Sequence, residues 1–192
     1  LLTPHAPYHR RDDATQFYEP GYTGPFAETS GAPLALSGPG DVKRLRDLYD
    51  GEVWHADQLF AHLLDGLRYA GILDRTIVVL TTDHGEEFYE HGGVGHGRLH
   101  EEHVRVPLVI HHPQIRRGSR TSRLTSNVDL APSLAAMAGL PWPDGCDGRS
   151  VLASAQPRDR VISVAMTGPK YRGATILHDG NRLIVTCLPE QR

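Results

Sequence analysis

Cysteine is scarce: Cys146 and Cys187 are the two in 192 residues, too few for a disulfide framework, and they are either free or joined in one bridge. No apolar run approaches the ~20 residues that a membrane span needs. The formal net charge is −3, without the basic excess that draws a protein to nucleic acid or an anionic membrane, so neither is expected as a partner. Repeats and low-complexity tracts are also lacking. The opening Leu1-Leu2-Thr3-Pro4-His5 has neither a Met nor the basic start of a targeting segment. It reads as the end of a strand cut from something longer, so the compartment is not legible in it. What remains is ordinary for a globular chain, with 39% hydrophobic and 22% charged residues and enough length for one sizeable core. Histidine is the exception. Of twelve, seven fall between residues 84 and 112. Imidazole is a common transition-metal ligand and titrates near neutrality, so this crowding marks a region for metal or acid–base chemistry.

Residues 1–40 are rich in Pro and Gly and read as a strand end followed by a long surface excursion. From Asp41 to Tyr69, apolar residues recur at three- and four-residue steps, among them Val42, Leu45, Leu48, Val53, Leu59, Leu63 and Leu67. This predicts one long amphipathic helix or two in series, with Asp41 as N-cap, Gly71 as stop and Gly51 as a bend. Residues 76–82 are dense in β-branched side chains without polar alternation and read as a strand covered on both faces, as in a parallel sheet. Residues 104–110 read the same way. Residues 129–138 predict a short helix capped by Asp129, with Pro132 in its first turn and Gly139 ending it. Residues 160–165, 173–178 and 182–187 read as short strands, the last two joined as a hairpin at Asp179-Gly180-Asn181. Helix, buried strand, loop, buried strand and helix define an α/β sheet protein. Ligands of such sheets bind beyond the carboxyl ends of the strands, where Asp83 and His84 fall.

Three segments carry chemistry. The first is Thr82-Asp83-His84-Gly85. A carboxylate and an imidazole at a strand end can share a divalent cation if the backbone turns sharply, which Gly85 would permit. Otherwise Asp83 caps the next loop and His84 packs beside it. The second is Gly92-Gly93 with Gly95-His96-Gly97. Glycines let backbone approach a ligand, and His96 could hydrogen-bond an oxyanion or protonate a leaving oxygen. The third is Pro4-His5-Ala6-Pro7-Tyr8, where two prolines hold the backbone extended around His5.

Taken with Leu48-Tyr49-Asp50, Asp57-Gln58-Leu59, Gly71 to Thr76, Glu86-Glu87-Phe88, Glu90-His91-Gly92, Arg105 to Ile110 and Val128 to Leu134, these segments resemble the sulfatase family of the alkaline phosphatase superfamily, in order and spacing, across roughly residues 1–152. The resemblance implies a mostly parallel α/β sheet flanked by helices, forming an incomplete catalytic domain over residues 1–152. Residues 153–192 would begin a small antiparallel C-terminal subdomain. Asp83 and His84 match the family's second pair of metal ligands. His5 matches a histidine that approaches the substrate ester. His96 stands where many relatives place a lysine on the sulfate and leaving oxygen, so the cation here would be an imidazolium. Asp129 matches a structural aspartate that starts a helix. The other clustered histidines, His91, His100, His103, His111 and His112, are expected mostly at the periphery, with no site role.

The resemblance also implies calcium as the first expectation for the metal, with manganese or zinc open because His84 is a softer ligand than calcium prefers. The substrate would be a small-molecule or carbohydrate sulfate ester. Family members carry a further aspartate pair and a C/S-x-P-x-R motif, oxidised to formylglycine, near their N-terminus. Neither is found here, so the chain is expected to be a fragment at both ends, with the formylglycine upstream. Cys187-Leu188-Pro189-Glu190-Gln191-Arg192 imitates the motif with its Arg one residue late. The rivals are a phosphonate monoester or phosphodiester hydrolase of the same superfamily, and a non-catalytic binding domain that keeps the fold. The oligomeric state is not legible.

Overall fold

Residues 4–30, 36, 38–113, 115, 118–152, 156–167 and 171–187 are described in the structure, a computed structural model. In chain order the elements are α1 (Pro39–Tyr69), β1 (Val78–Thr81), β2 (Glu87–Phe88), β3 (Val94–Gly95), α2 (Glu101–Val104), β4 (Leu108–His111), α3 (Leu130–Met137), β5 (Arg160–Thr167), β6 (Tyr171–His178) and β7 (Asn181–Cys187). Short 3₁₀ turns lie at Asp12–Phe17, Leu73–Arg75 and Asn127–Asp129. None of the described helices is long and apolar enough to cross a membrane. The chain forms two units, one of residues 1–73 with 86–95 and one of residues 74–85 with 96–192.

In the first unit, α1 is one helix of 31 residues. It starts two residues before Asp41 because Pro39, whose fixed φ suits a first helical position, follows Gly38. Asp41 is therefore not the N-cap; it sits in the first turn and accepts the Tyr22 hydroxyl at 2.6 Å. The helix ends as expected. Gly71 takes φ +67°, and the N–H groups of Gly71 and Ile72 return to the carbonyls of Arg68 and Leu67, the paired bonds of a Schellman ending.

α1 runs unbroken through Gly51. That glycine faces the Tyr18 ring, and an added Cβ would collide with the Tyr18 hydroxyl, which is fixed by the Arg11 N–H at 2.7 Å. Gly51→Ala should therefore destabilise by about 1–3 kcal/mol through overpacking, outweighing the ~1 kcal/mol that alanine gains in a helix. In a Tyr18→Phe background most of that loss should vanish, a comparison urea denaturation resolves.

The described residues of the 1–40 segment are not all a surface excursion. Tyr8, Ala14 and Phe26 are almost fully buried, and Tyr8 and Phe26 pack with Leu45, Leu48 and Phe88 to form the core. An aperiodic segment can anchor a core through single aromatic side chains, which a periodicity reading does not detect. Buried polar groups there are paired. Glu52 accepts the His9 N–H at 2.9 Å and both Nε and Nη2 of Arg11. Arg44 lies against the rings of Tyr18 and Tyr22 and donates to the carbonyls of Phe26 and Ala27.

In the second unit, β1 and β4 pair with Val78 opposite His111 and Thr81 opposite Leu108. The pairing is antiparallel, where parallel internal strands were expected, and among the described residues each strand has one partner. β-Branched density announces a strand but carries no information about the direction of its neighbour. The outward side chains Leu80 and Val109 are 41% and 58% exposed. Residues 101–104 are a helical turn, so the second strand begins four residues later than expected.

The C-terminal strands match expectation, as an antiparallel sheet in the order β5-β6-β7. β6 and β7 turn at Asp179 and Gly180, both with positive φ, as a type I′ hairpin requires. The helix expected at 129–138 is α3 preceded by a 3₁₀ turn; Asp129 stands at the N-cap position of α3 without a side-chain cap bond, and Ser126 caps the 3₁₀ turn. Asp129 reaches back to the Ser126 N–H at 3.0 Å, the reciprocal half of a capping box.

Candidate active site

β1 runs out at Thr81, and Asp83 and His84 leave its carboxyl end. Asn127, at the start of the turn before α3, donates its side-chain amide to the carbonyls of Thr82 and Asp83 at 3.1 and 3.4 Å. Gly85 donates its N–H to the His103 carbonyl at 2.8 Å, and a Cβ on Gly85 would strike the Glu102 carbonyl. The glycine is thus required by close backbone approach. The strand end is tied down on both sides.

The Asp83 side chain is 86% exposed. Its Oδ1 accepts the His84 N–H at 3.1 Å, with the Thr82 hydroxyl at 3.2 Å. Its small burial pushes the carboxyl up, but its own and the His84 backbone N–H, the His84 ring and the Thr82 hydroxyl hold it below the usual carboxylate range. His84 Nδ1 lies 2.8 Å from the Gly85 carbonyl. A carbonyl only accepts, so Nδ1 carries the hydrogen, and in the neutral ring Nε2 offers its lone pair. That Nε2 is 3.8 Å from Asp83 Oδ2.

The His96 ring stacks on His84 with centroids 4.1 Å apart and planes 29° from parallel. Its flanking glycines have φ of +103° and +108°, values that a side chain rarely tolerates. Asp83, His84 and His96 line one cavity of about 690 Å³. Oxygen from Asp83 and nitrogen from His84 fit a divalent cation in kind and in span. Among the described residues no cluster of three His, Cys, Asp or Glu side chains adds to that donor set.

His5 belongs to the other unit, where it is exposed with Nδ1 2.6 Å from the Ala6 carbonyl. His91 is exposed as expected. His103 is not peripheral: it is buried, lines the cavity, and accepts the Arg98 N–H on Nδ1 at 2.9 Å. Cys187 ends β7, and the rest of the motif-like tail, residues 188–192, lies outside the described residues.

The glutamates of the first unit belong to the family-like segments, but no role for them is legible in the sequence. Glu87 is buried and accepts the N–H groups of His91 and Gly93. Glu86 accepts the buried Tyr8 hydroxyl. Burial, then Glu86 itself, drives the Tyr8 phenol far above its ordinary value. Glu90 accepts Arg46 and the Phe88 N–H. Three glutamates beside glycines resemble a solvated loop, and only the unpaired N–H groups of a tight turn betray their use.

The sulfatase family model matches residues 1–140, and the chain belongs to that family. It is 33% identical to arylsulfatase K of Bos taurus over 114 residues, which are 59% of this chain and 21% of that protein. It is 38% identical to N-acetylglucosamine-6-O-sulfatase of Bacteroides thetaiotaomicron over 108 residues, 56% of this chain and 19% of that protein. The chain thus spans about a fifth of the length of these curated relatives. The structure of BT4656 in complex with its substrate D-glucosamine-2-N,6-O-disulfate matches with a TM-score of 0.68 at 29% identity, over 76% of this chain and 32% of that one. The phosphonate monoester hydrolase of Silicibacter pomeroyi matches with a TM-score of 0.68 at 21% identity, over 97% of this chain and 44% of that one, a likeness of fold alone.

Proposed function

We propose that this chain is the metal-and-oxyanion part of a sulfuric ester hydrolase, active in a longer protein. The reading rests on one observation: His96 is stacked on His84, and His84 Nε2 lies 3.8 Å from Asp83 Oδ2. Asp83 and His84 would hold a divalent cation, calcium first, with manganese or zinc as alternatives. Such a cation, when bound, polarises the ester oxygens and offsets their charge. His96, as an imidazolium, would hydrogen-bond the leaving oxygen and hand it a proton as the bond to sulfur breaks. His5 is assigned to the ester on its motif alone. The nucleophile is assigned to a formylglycine in the longer protein. The substrate class is a small-molecule or carbohydrate sulfate ester, the class named for the relatives above.

Residues 1–152 are read as part of the catalytic domain and 153–192 as the start of an antiparallel subdomain. The mostly parallel sheet of the alkaline-phosphatase-like fold is read as a property of the longer protein.

The test is His96→Ala in the full-length protein. Losing a positioned acid should slow p-nitrophenyl sulfate hydrolysis about a hundredfold. Because His96 is exposed, the thermal midpoint should hold. An unchanged rate removes His96 from the chemistry. Faster turnover of p-nitrophenyl phosphonate esters than of the sulfate would favour the phosphonate-hydrolase reading.

A further inference from the structure

The cavity that holds Asp83, His84 and His96 is far larger than a sulfate group needs, at about 690 Å³. That is the range of pockets that enclose a whole organic ligand. It therefore has room for the alcohol that carries the ester, and its far wall describes that alcohol.

One side of the β5-β6-β7 sheet forms this wall. Val161 pairs with Leu177 and Ser163 with Thr175, and all four line the cavity. Opposite Leu177 on β7 stands Arg182, which lines it too. Four arginines (98, 105, 123 and 182) and two carboxylates, Asp83 and Glu101, line the cavity.

Arg182 is the notable member. Its side chain is only 18% exposed. It donates Nη2 to Glu101 Oε2 at 2.5 Å, its one hydrogen-bond partner among the described residues. A guanidinium has five N–H donors in a planar fork, so most of them remain for a ligand. Glu101 is also shared with Arg105 Nη1 at 3.4 Å. It therefore holds the Arg182 head in place without neutralising the pair. A fixed, mostly desolvated guanidinium facing a cavity is suited to a carboxylate or sulfate oxygen pair.

We infer that the alcohol part of the substrate carries a second anionic group, a sulfate or a carboxylate, and that Arg182 selects for it. This rests on the sulfatase reading for the ester end. It goes beyond that reading by assigning a residue on the C-terminal hairpin to specificity.

The experiment uses the full-length protein and three probes: D-glucosamine-2-N,6-O-disulfate, D-glucosamine 6-O-sulfate and p-nitrophenyl sulfate. The wild type should bind and turn over the disulfate about tenfold or more better than the monosulfate, as a charge-assisted hydrogen bond predicts. Arg182→Gln should erase that preference and leave p-nitrophenyl sulfate within about twofold, because the small ester does not reach the arginine. Arg182→Lys, which keeps the charge and loses the fork, should fall between them. It also serves if Arg182→Gln does not fold. The inference is overturned if the wild type shows no preference, or if Arg182→Gln lowers all three probes equally. Should none of the three probes be hydrolysed, the sulfatase reading fails. Calorimetric binding of the two sugars then still decides the role of Arg182.

Discussion

Asp83→Ala in the full-length protein should lower sulfate ester hydrolysis at least about a thousandfold while leaving the fold intact. The expected activity loss is large because one substitution removes the carboxylate proposed to hold the metal and a fixed negative charge from the same point, and electrostatic stabilisation is usually the largest contribution to catalysis. The stability loss is small for a separate reason. The side chain is mostly exposed, and its contacts are the His84 N–H and the Thr82 hydroxyl, worth roughly 1 kcal/mol each. Thermal melting and sulfate release therefore part company. If both collapse together, Asp83 is a structural cap and not a ligand. Asp83→Asn, which keeps an oxygen donor but not its charge, should lie between the wild type and alanine.

Asp129→Ala should unfold the second unit's packing at a cost of about 3–5 kcal/mol, the range for breaking a buried ion pair from one side. Asp129 is almost fully buried. It takes Nε and Nη2 of Arg158, the Arg149 N–H at 2.7 Å and the Ser126 N–H at 3.0 Å. Removing it strands a guanidinium whose side chain is 15% exposed, together with two backbone donors. Against a typical stability of about 5–15 kcal/mol, that loss is visible in any urea titration.

The pair also sets a pH dependence. Burial alone would raise the Asp129 carboxyl, but Arg158 and the two backbone N–H groups bring it below the ordinary value of 3.8. A carboxyl lowered by folding stabilises fully above its unfolded value, and that stability is lost as pH falls through the folded value. The wild type should therefore lose stability below about pH 3.8, and Asp129→Ala should show less of that acid-dependent loss.

Particular residues show how much of this was legible in the sequence. The 41–69 helix, its Gly71 ending and the Asp179-Gly180 hairpin follow from local rules, because each is decided by neighbours in the chain. Asp83, His84 and His96 were picked out by spacing and resemblance, and the structure brings these three to one cavity. The antiparallel pairing of β1 with β4 was not legible, since a strand's own side chains do not encode its partner's direction. In the sequence Gly85 only permits a sharp turn, yet its constraint comes from the Glu102 carbonyl, 17 residues on. Glu101 and Arg182 were invisible for the same reason. They are 81 positions apart, and neither belongs to a motif.

The most direct measurement compares the full-length protein with residues 1–192 alone, on p-nitrophenyl sulfate and on a p-nitrophenyl phosphonate ester, after chelation and after calcium, manganese or zinc is restored. Metal-dependent sulfate release that exceeds phosphonate turnover is expected from the full-length protein, and no meaningful turnover from residues 1–192. Robust, metal-dependent sulfate release by residues 1–192 alone would contradict that expectation, because the nucleophile would then lie within this chain.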